Sequence, residues 1–480
     1  MNSSITAGVL SAIADRRTRD LRFRQRQLIS LHDWITNNTS GLETALSEDD
    51  DISQAEAHFV IGLALDELRR NYESLDLKKE LDIEFRIKNA RDNEHRRLPQ
   101  EIVYVIPHRF TFFFGVTSAL CASVAAGSCC IVELPENLQR SSALIQCMFS
   151  SLDKVAFTTT TTRPKDDFLK RCLVVDQLNC ISPGTFRSLL SSQSTSHAIA
   201  IVDRTANVAV AAQALAASTL LFSGKGPYAP SCILVNEYVE AEFSRTFTDH
   251  ASETAQSQTL LNGANGYTNT QKQEGVNGSV HKPLISSKEN PFTRLNNRED
   301  LGAVIARKTG GPILLAVSSL DDAIDVANSE LTPRTRALYV FGDPKAAKYL
   351  AQFVQTDVSF VNHIPAGLLV GPPAPSGYPV SPTARYRREM METPSPQFVK
   401  RNPVIPSVEK LVESGTAIPA ALLAASSRAL RPTGQPREGD MNFFAQGLRA
   451  SFVLYIYLPM TVAAAAIAGY GGRYAYRHWL

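Results

Sequence analysis

The sequence predicts an α/β fold built on parallel sheets, opened by a helical region and closed by a helix long enough to cross a membrane. Three observations carry this. Ala198 to Glu237 reads as strand, helix, loop and strand: an apolar run ends in Asp203, an Ala-rich stretch reaches Ala217, and Gly224-Lys-Gly226 leads into a strand over Ile233–Val235. Helix and strand alternate through residues 138–203, the pattern of a parallel sheet with crossover helices. Ala450 to Gly472 carries no charge, and as a helix it would span about 34 Å, enough for a hydrocarbon core of about 30 Å.

At 480 residues the chain is long enough for two or three domains around a large core. A net charge of +2, without a basic patch interleaved with aromatics, gives no electrostatic footprint for nucleic acid, and none is expected as a partner. The cysteines at 121, 129, 130, 147, 172, 180 and 232 lack C-x-x-C pairs and histidine-rich spacing, so neither a metal site nor a disulfide framework is signalled. Cys129-Cys130 read as small core residues of a chain kept in a reducing compartment. Residues 1–30 are polar and rich in arginine, unlike a secretory leader.

Taken in order, residues 4–45 place Leu21, Leu28, Leu31, Trp34 and Ile35 at helical spacing, and residues 53–80 repeat the pattern, so two or three amphipathic helices open the chain. Glu101–Pro107 reads as a strand running into the aromatic cluster Phe110 and Phe112 to Phe114. A small-residue helix over Ser118–Ala126 ends at Gly127 and yields to a strand over Cys129–Val132. Residues 254–290, rich in Ser, Thr, Asn, Gln and Gly, predict a surface insertion or a locally degraded region. Order returns with strands at Ile313–Val317 and Ala337–Phe341 and a helix over Asp321–Ser329. Residues 365–405 are loaded with proline, and 426–447 form a polar approach to the terminal apolar helix. Tyr455, Tyr457, Tyr470, Tyr474 and Trp479 near that helix's ends, with Arg449, Arg473 and Arg477 outside, suit a membrane anchor; a buried Ala-rich helix is the alternative.

Several runs resemble the aldehyde dehydrogenase superfamily. Ser123 to Glu136 is similar to its "A-x-A-A-G-N-x-V-x-x-K-P-S-E", Gly311-Pro-Ile-Leu314 and Ala337-Leu-Tyr-Val-Phe341 to later motifs, Val361-Asn362 to its "V-N", and Tyr228-Ala-Pro230 with Leu234-Val235 to the segment after its nucleophile. With the terminal anchor, the layout resembles the fatty aldehyde dehydrogenases. The resemblance covers roughly residues 20–405. It implies two Rossmann-like parallel-sheet domains: 1–80 as the helical part of a cofactor-type domain, 81–196 completing it with a hairpin, 197–330 as a catalytic-type domain, 331–405 as a return to the first domain and an oligomerisation strand, 406–449 as a linker and 450–472 as the anchor. It further implies pairing of protomers, with itself or with an active relative, through a hairpin near 81–100 and a late strand, and a membrane-held chain with its bulk in the cytoplasm.

The family's chemistry needs a cysteine thiolate, an amide and a backbone N–H for the oxyanion, a glutamate base and a nicotinamide cofactor. Carried over position by position, the resemblance places Pro227 at the nucleophile, Gln193 at the base and Phe110 at the oxyanion amide. The NAD or NADP positions fall on Glu133 for an adenine-ribose lysine, on Thr159 within Phe157 and Thr158–Thr162 for a glycine phosphate turn, and on Lys308 for a nicotinamide-ribose glutamate. Each role-bearing residue is replaced, which implies weak cofactor binding or none and no conventional turnover. Cys232 is the nearest substitute nucleophile, although it directly precedes a strand and also reads as a strand cysteine. His197 and Asn362 are further candidates to line the cleft; Gly224-Lys-Gly226 reads as a turn, and the four phenylalanines as core or as cleft lining.

Overall fold

The computed structural model describes residues 3–93, 96–135, 137–192, 196–264, 291–295, 297–306, 311–331, 334–395, 427, 429–430 and 443–479. Two units separate, Met1–Val399 and Lys400–Leu480. Five helices, rather than two or three, open the first: α1 (Ser3–Asp15), α2 (Leu21–Asn37), α3 (Thr39–Asp49), α4 (Gln54–Glu73) and α5 (Leu77–Lys88). Local chemistry sets their boundaries. Asp20 caps α2 through the Arg22 and Phe23 amides, and Ser53 with Glu56 forms a reciprocal capping box on α4.

The strands are β1 (Arg97–Pro99), β2 (Ile102–Ile106), β3 (Cys129–Glu133), β4 (Phe157–Thr160), β5 (Leu173–Asp176), β6 (Leu189–Ser191), β7 (Ala198–Val202), β8 (Pro230–Asn236), β9 (Thr293–Leu295), β10 (Ile313–Val317), β11 (Ala337–Phe341), β12 (Ser359–Val361) and β13 (Glu392–Pro394). One parallel sheet has the order β4-β3-β2-β5-β6, and a second has β12-β11-β7-β8-β10-β9. Buried on both faces, these strands read as near-continuous apolar runs. In β7, Ala198, Ala200 and Val202 enter one core, whereas Ile199 and Ile201 enter the other. Crossover helices include α6 (Phe112–Ala126), α7 (Gln139–Ser150), α8 (Asp166–Leu169), α9 (Val208–Leu220), α10 (Glu240–Ala264), α11 (Leu301–Ala306), α12 (Leu320–Ser329) and α13 (Pro344–Phe353).

Four expectations change. Helix α6 begins at Phe112, not Ser118, because Phe112, Phe113 and Phe114 are buried in its first turn. It ends as expected at Gly127, whose φ of +93° is left-handed and whose Cβ, were there one, would lie 2.9 Å from the Thr18 carbonyl. The hairpin expected near 81–100 is replaced by α5 and a single short strand. Asp76 accepts from the Lys78 and Lys79 amides, and Leu-Lys-Lys-Glu-Leu favours helix, while β1 pairs antiparallel with the distant β13. The return to the first domain starts later than residue 331. Strands β11 and β12 extend the second sheet, and it is Val370, Tyr386, Met390 and Met391 that rejoin the first core. Finally, α10 runs to Ala264, so the start of the expected insertion is helical, and residues 265–290 lie outside the described residues.

The second unit contains a helix over Gly447–Trp479, the one candidate membrane span among the described residues. Its turn at Val453–Tyr457 widens to π geometry just before Pro459, which has no N–H to bond the preceding turn.

Candidate functional site

The strand order β4-β3-β2-β5-β6 reverses direction of growth between β2 and β5, and in open α/β sheets ligands bind beyond the strand ends at such a point. Residues 107–111 follow β2 there, and Gln177 follows Asp176, the last residue of β5. Gln177, fully buried, fills the crevice. Its Oε1 accepts from the His108 amide at 2.9 Å and its Nε2 donates to the Gly115 carbonyl at 2.9 Å, with Oε1 only 2.7 Å from where a Cβ on Gly115 would stand. The connection from β5 to β6, residues 177–188, contains no helix, so no helix N-terminus faces the crevice from that side.

At the position of the expected phosphate turn the chain is strand. Thr159 lies in β4, the edge strand, two strands from β2 and away from the switch point. Glu133, at the end of β3, is satisfied within the chain. Arg163 holds it through two bonds of 2.9 and 3.0 Å, and the Tyr104 hydroxyl donates to it at 2.7 Å. Gln193 and Lys308 lie outside the described residues. Gln177 fills the crevice, the first turn of α6 is three buried phenylalanines, and Glu133 brings negative charge.

Opposite the crevice are the amino ends of the second sheet. Phe110 meets Phe222 edge to face at 5.6 Å, joining the segment after β2 to the loop before β8. That loop turns through three left-handed residues, Phe222 (φ 52°), Ser223 (φ 54°) and Gly224 (φ 65°). Such backbone costs about 1–3 kcal/mol per non-glycine residue. The buried Phe222 ring and a 2.6 Å bond from its amide to Glu56 hold it. Gly226 follows, where a Cβ would stand 2.7 Å from the Leu369 carbonyl. Pro227 is half-buried, has neither thiol nor N–H, and accepts through its carbonyl from Arg336 Nη1.

Cys232 sits inside β8, paired with Ile199 and Ile313, with burial pushing its thiol up to about 12. A nucleophile needs exposure and thiolate character, and Cys232 has neither. Asn362 is also away from the cleft, at the carboxyl end of β12, where it trades two hydrogen bonds with Gly342. The His197 carbonyl accepts from the Arg336 amide at 2.8 Å, which places His197 beside the cleft.

A second set of residues, to which the sequence reading gave no site role, meets here. His108 lies near Arg336; burial, with that positive charge adding, lowers its pKa, while Nδ1 accepts from the Phe110 amide at 3.0 Å. The buried Tyr228 ring has the Arg336 Cζ 5.6 Å and the Arg385 Cζ 5.0 Å from its centroid. Its hydroxyl accepts from the Ala374 amide, and its carbonyl from Tyr339. Residues 371–376 form a strap: Gly371 donates to Thr111 Oγ1, Ser192 Oγ donates to the Pro373 carbonyl, and the Ser376 amide donates to the Ser191 carbonyl. Between strap and sheet is a cavity of about 270 Å³ lined by Tyr228, Arg334, Arg336, Asp357, Ser376 and Tyr378 among others. The one signal for it in the sequence was a charged residue, Arg336, set directly before an apolar strand.

No protein-family model and no curated protein matches the sequence. Solved structures do resemble it. Staphylococcus aureus AldH in a substrate-bound state is 16% identical, with 87% of this chain and 100% of that chain covered and a TM-score of 0.61. For AldC of Pseudomonas syringae, complexed with NAD+ and octanal, the values are 15%, 75%, 80% and 0.56. For glyceraldehyde-3-phosphate dehydrogenase GapN of Methanocaldococcus jannaschii, complexed with NADP, they are 13%, 75%, 85% and 0.54. The two parallel sheets, the helices that flank them and the cleft between their facing ends are those of a known architecture: this chain has the fold of the aldehyde dehydrogenases.

Proposed function

We propose that this chain is a divergent member of the aldehyde dehydrogenase superfamily that has become a pseudoenzyme: a protein held to a membrane by its carboxy-terminal helix, with its bulk in the cytoplasm, that binds or scaffolds in a pathway of apolar aldehydes or related metabolites. The observation that carries the reading is Pro227. At the position matching the family's nucleophile it offers no thiol and no amide, its carbonyl is engaged by Arg336, and the nearest cysteine in sequence, Cys232, is sealed in a central strand. Losing a covalent nucleophile alone costs about 10⁶ in rate. Phe110 in place of an oxyanion amide takes away about 10²–10³ more, although such losses do not simply add. Leu77, Leu81 and Phe85 leave an exposed apolar stripe on α5, which supports a paired state with a second copy or an active relative.

Calorimetric titration of the detergent-solubilised full-length chain with NAD and with NADP tests the reading, followed by an oxidation assay with octanal. The expected result is no saturable heat below millimolar nucleotide and no turnover. Saturable binding together with octanal oxidation would replace this reading with that of an NAD(P)-dependent oxidoreductase using an unorthodox site.

A further inference from the structure

Between Asp15 and Arg26 six arginines stand against two aspartates, whereas the whole chain nets only +2. Both aspartates are engaged. Asp15, together with Asp153, holds the Arg17 side chain, and Asp20 caps α2. Arg24 is buried, donating to the Ala125 carbonyl at 2.8 Å and lying 3.7 Å from Glu80. The other four, Arg16, Arg19, Arg22 and Arg26, are exposed, and none forms an ion pair among the described residues.

Their positions make one surface. Arg22, Arg26 and Ile29 stand at i, i+4 and i+7 of α2, on the side away from the buried Leu21, Leu28, Leu31 and Ile35. Arg16 and Arg19 belong to the short turn that leads into this helix. Lys154, also exposed, follows Asp153, whose amide donates to Gln27 Oε1 at 2.8 Å, and so adds a cation beside α2. Ile29 keeps an apolar side chain 45% exposed within the row. The fold gives no reason for this placement. Arg22 lies in the first turn of α2, where the helix dipole disfavours a cation, and no acidic side chain in that turn offsets it.

We propose that this row docks on the anionic surface of the membrane that holds the chain, with the arginines on the head groups and Ile29 at the boundary with the acyl chains. The proposal rests on the reading of the carboxy-terminal helix as an anchor, and it names the face that the first unit turns to the bilayer. Residues 400–442 lie between that unit and the terminal helices, and a chain of that length reaches at most about 150 Å. Such a tether brings the first unit to the lipid without choosing its face; the charge of the row chooses it. A helix carrying four or more clustered basic residues is suited to anionic lipid, each one near the surface contributing about a fivefold factor. Nucleic acid fits less well, because no aromatic side chain is interleaved with these arginines for bases to stack on.

The test places a tryptophan in the row. Full-length chain carrying Ile29→Trp is reconstituted into vesicles of brominated phosphatidylcholine with and without phosphatidylserine, and the parent chain corrects for Trp34 and Trp479. The bromolipid is expected to quench the added tryptophan when phosphatidylserine is present, and to spare it in phosphatidylcholine alone or at high salt. Changing Arg19, Arg22 and Arg26 together to Gln should lower the ratio of docked to free protein about 100-fold. The same change should leave the unfolding midpoint equal or higher, since it relieves the helix dipole. Changing the three to Lys keeps the charge and should retain most of the docking. Quenching equal with and without phosphatidylserine, a Gln variant that still docks, or a Lys variant that loses docking as fully as the Gln variant would each overturn the proposal. A tryptophan that stays unquenched in both lipids overturns it too, and points to an acidic protein as the partner of the row. Alkaline carbonate extraction of the same vesicles reads the anchor separately. Extracted protein removes the anchored reading and with it the basis of this proposal, whereas inserted protein without phosphatidylserine-dependent quenching removes the docking row alone.

Discussion

Glu67 shows at the scale of one residue how the interior of the first unit is coupled to pH. It lies wholly inside, accepting from Ser118 Oγ and from the Arg385 amide, and burial outweighs both bonds to push its carboxyl up to about 7. A raised carboxyl pKa means the folded chain holds a proton that the unfolded chain has already released. Stability from this group is therefore full below the ordinary glutamate range and is lost as pH rises through the folded value, a change of about 3 kcal/mol at most between pH 4.5 and 8. Asp50, also pushed up to about 7, adds a slope of the same sign. The difference between wild type and Glu67→Gln isolates Glu67: urea unfolding at pH 5 and pH 8 should show a flatter dependence in the variant, and identical slopes would remove this account. Two glycines give an opposed pair. Gly226→Ala should destabilise by about 1–3 kcal/mol, because its Cβ would press on the Leu369 carbonyl. Gly62→Ala, inside α4 with nothing within 4 Å, should stabilise by up to about 1 kcal/mol. A thermal melt of each decides, and equal shifts would mean that the close approach at residue 226 yields freely.

Among the elements, the loop from Phe222 to Gly224 is the one whose shape depends most on a distant partner. Glu56 both closes the α4 capping box with Ser53 and accepts from the Phe222 amide across 166 positions of sequence. Glu56→Ala should therefore cost more than a cap, about 2–4 kcal/mol against about 1 for Ser53→Ala, because a buried amide is left without a partner. Equal losses in denaturant unfolding would place the whole effect at the helix end. The same dependence explains what the sequence made legible. Strands β2, β3, β7, β8, β10 and β11 were readable because each is a short apolar run bounded by breakers, and Gly127 announced the end of α6. The start of α6 was not, since Phe112–Phe114 carry no amphipathic period when every side is buried. Nor was α5, where a family expectation of a hairpin competed with helical spacing and the spacing won. Gln177 could not be found at all, because its partners His108 and Gly115 lie more than 60 positions away. That Thr159 lies in an edge strand was hidden for a related reason: motif matching sees a strand followed by small residues, whereas sheet order comes only from the fold.

For the molecule as a whole, the terminal helix asks for an environment other than water. Its apolar window is not buried at any position, and Val453, Leu454, Ile456, Leu458, Met460, Val462 and Ile467 are all exposed. A contiguous apolar surface of that kind marks a membrane or a partner, and the uncharged length from Ala450 to Gly472 matches a bilayer. The arginines at 449, 473 and 477 fall where head groups would meet them. The proposed anchor is therefore tested by alkaline carbonate extraction of membranes carrying the full-length chain, which should leave the protein in the pellet. A chain lacking residues 443–480 should move to the supernatant with its first unit folded, since that unit has its own cores. Ala464→Arg, a charge near the middle of the span, adds about 3 kcal/mol to insertion and should release a measurable fraction on its own. Full-length protein extracted by carbonate, or truncated protein that still pellets, would show that the helix seeks a protein partner instead, and the search would then turn to what covers Val453 to Ile467.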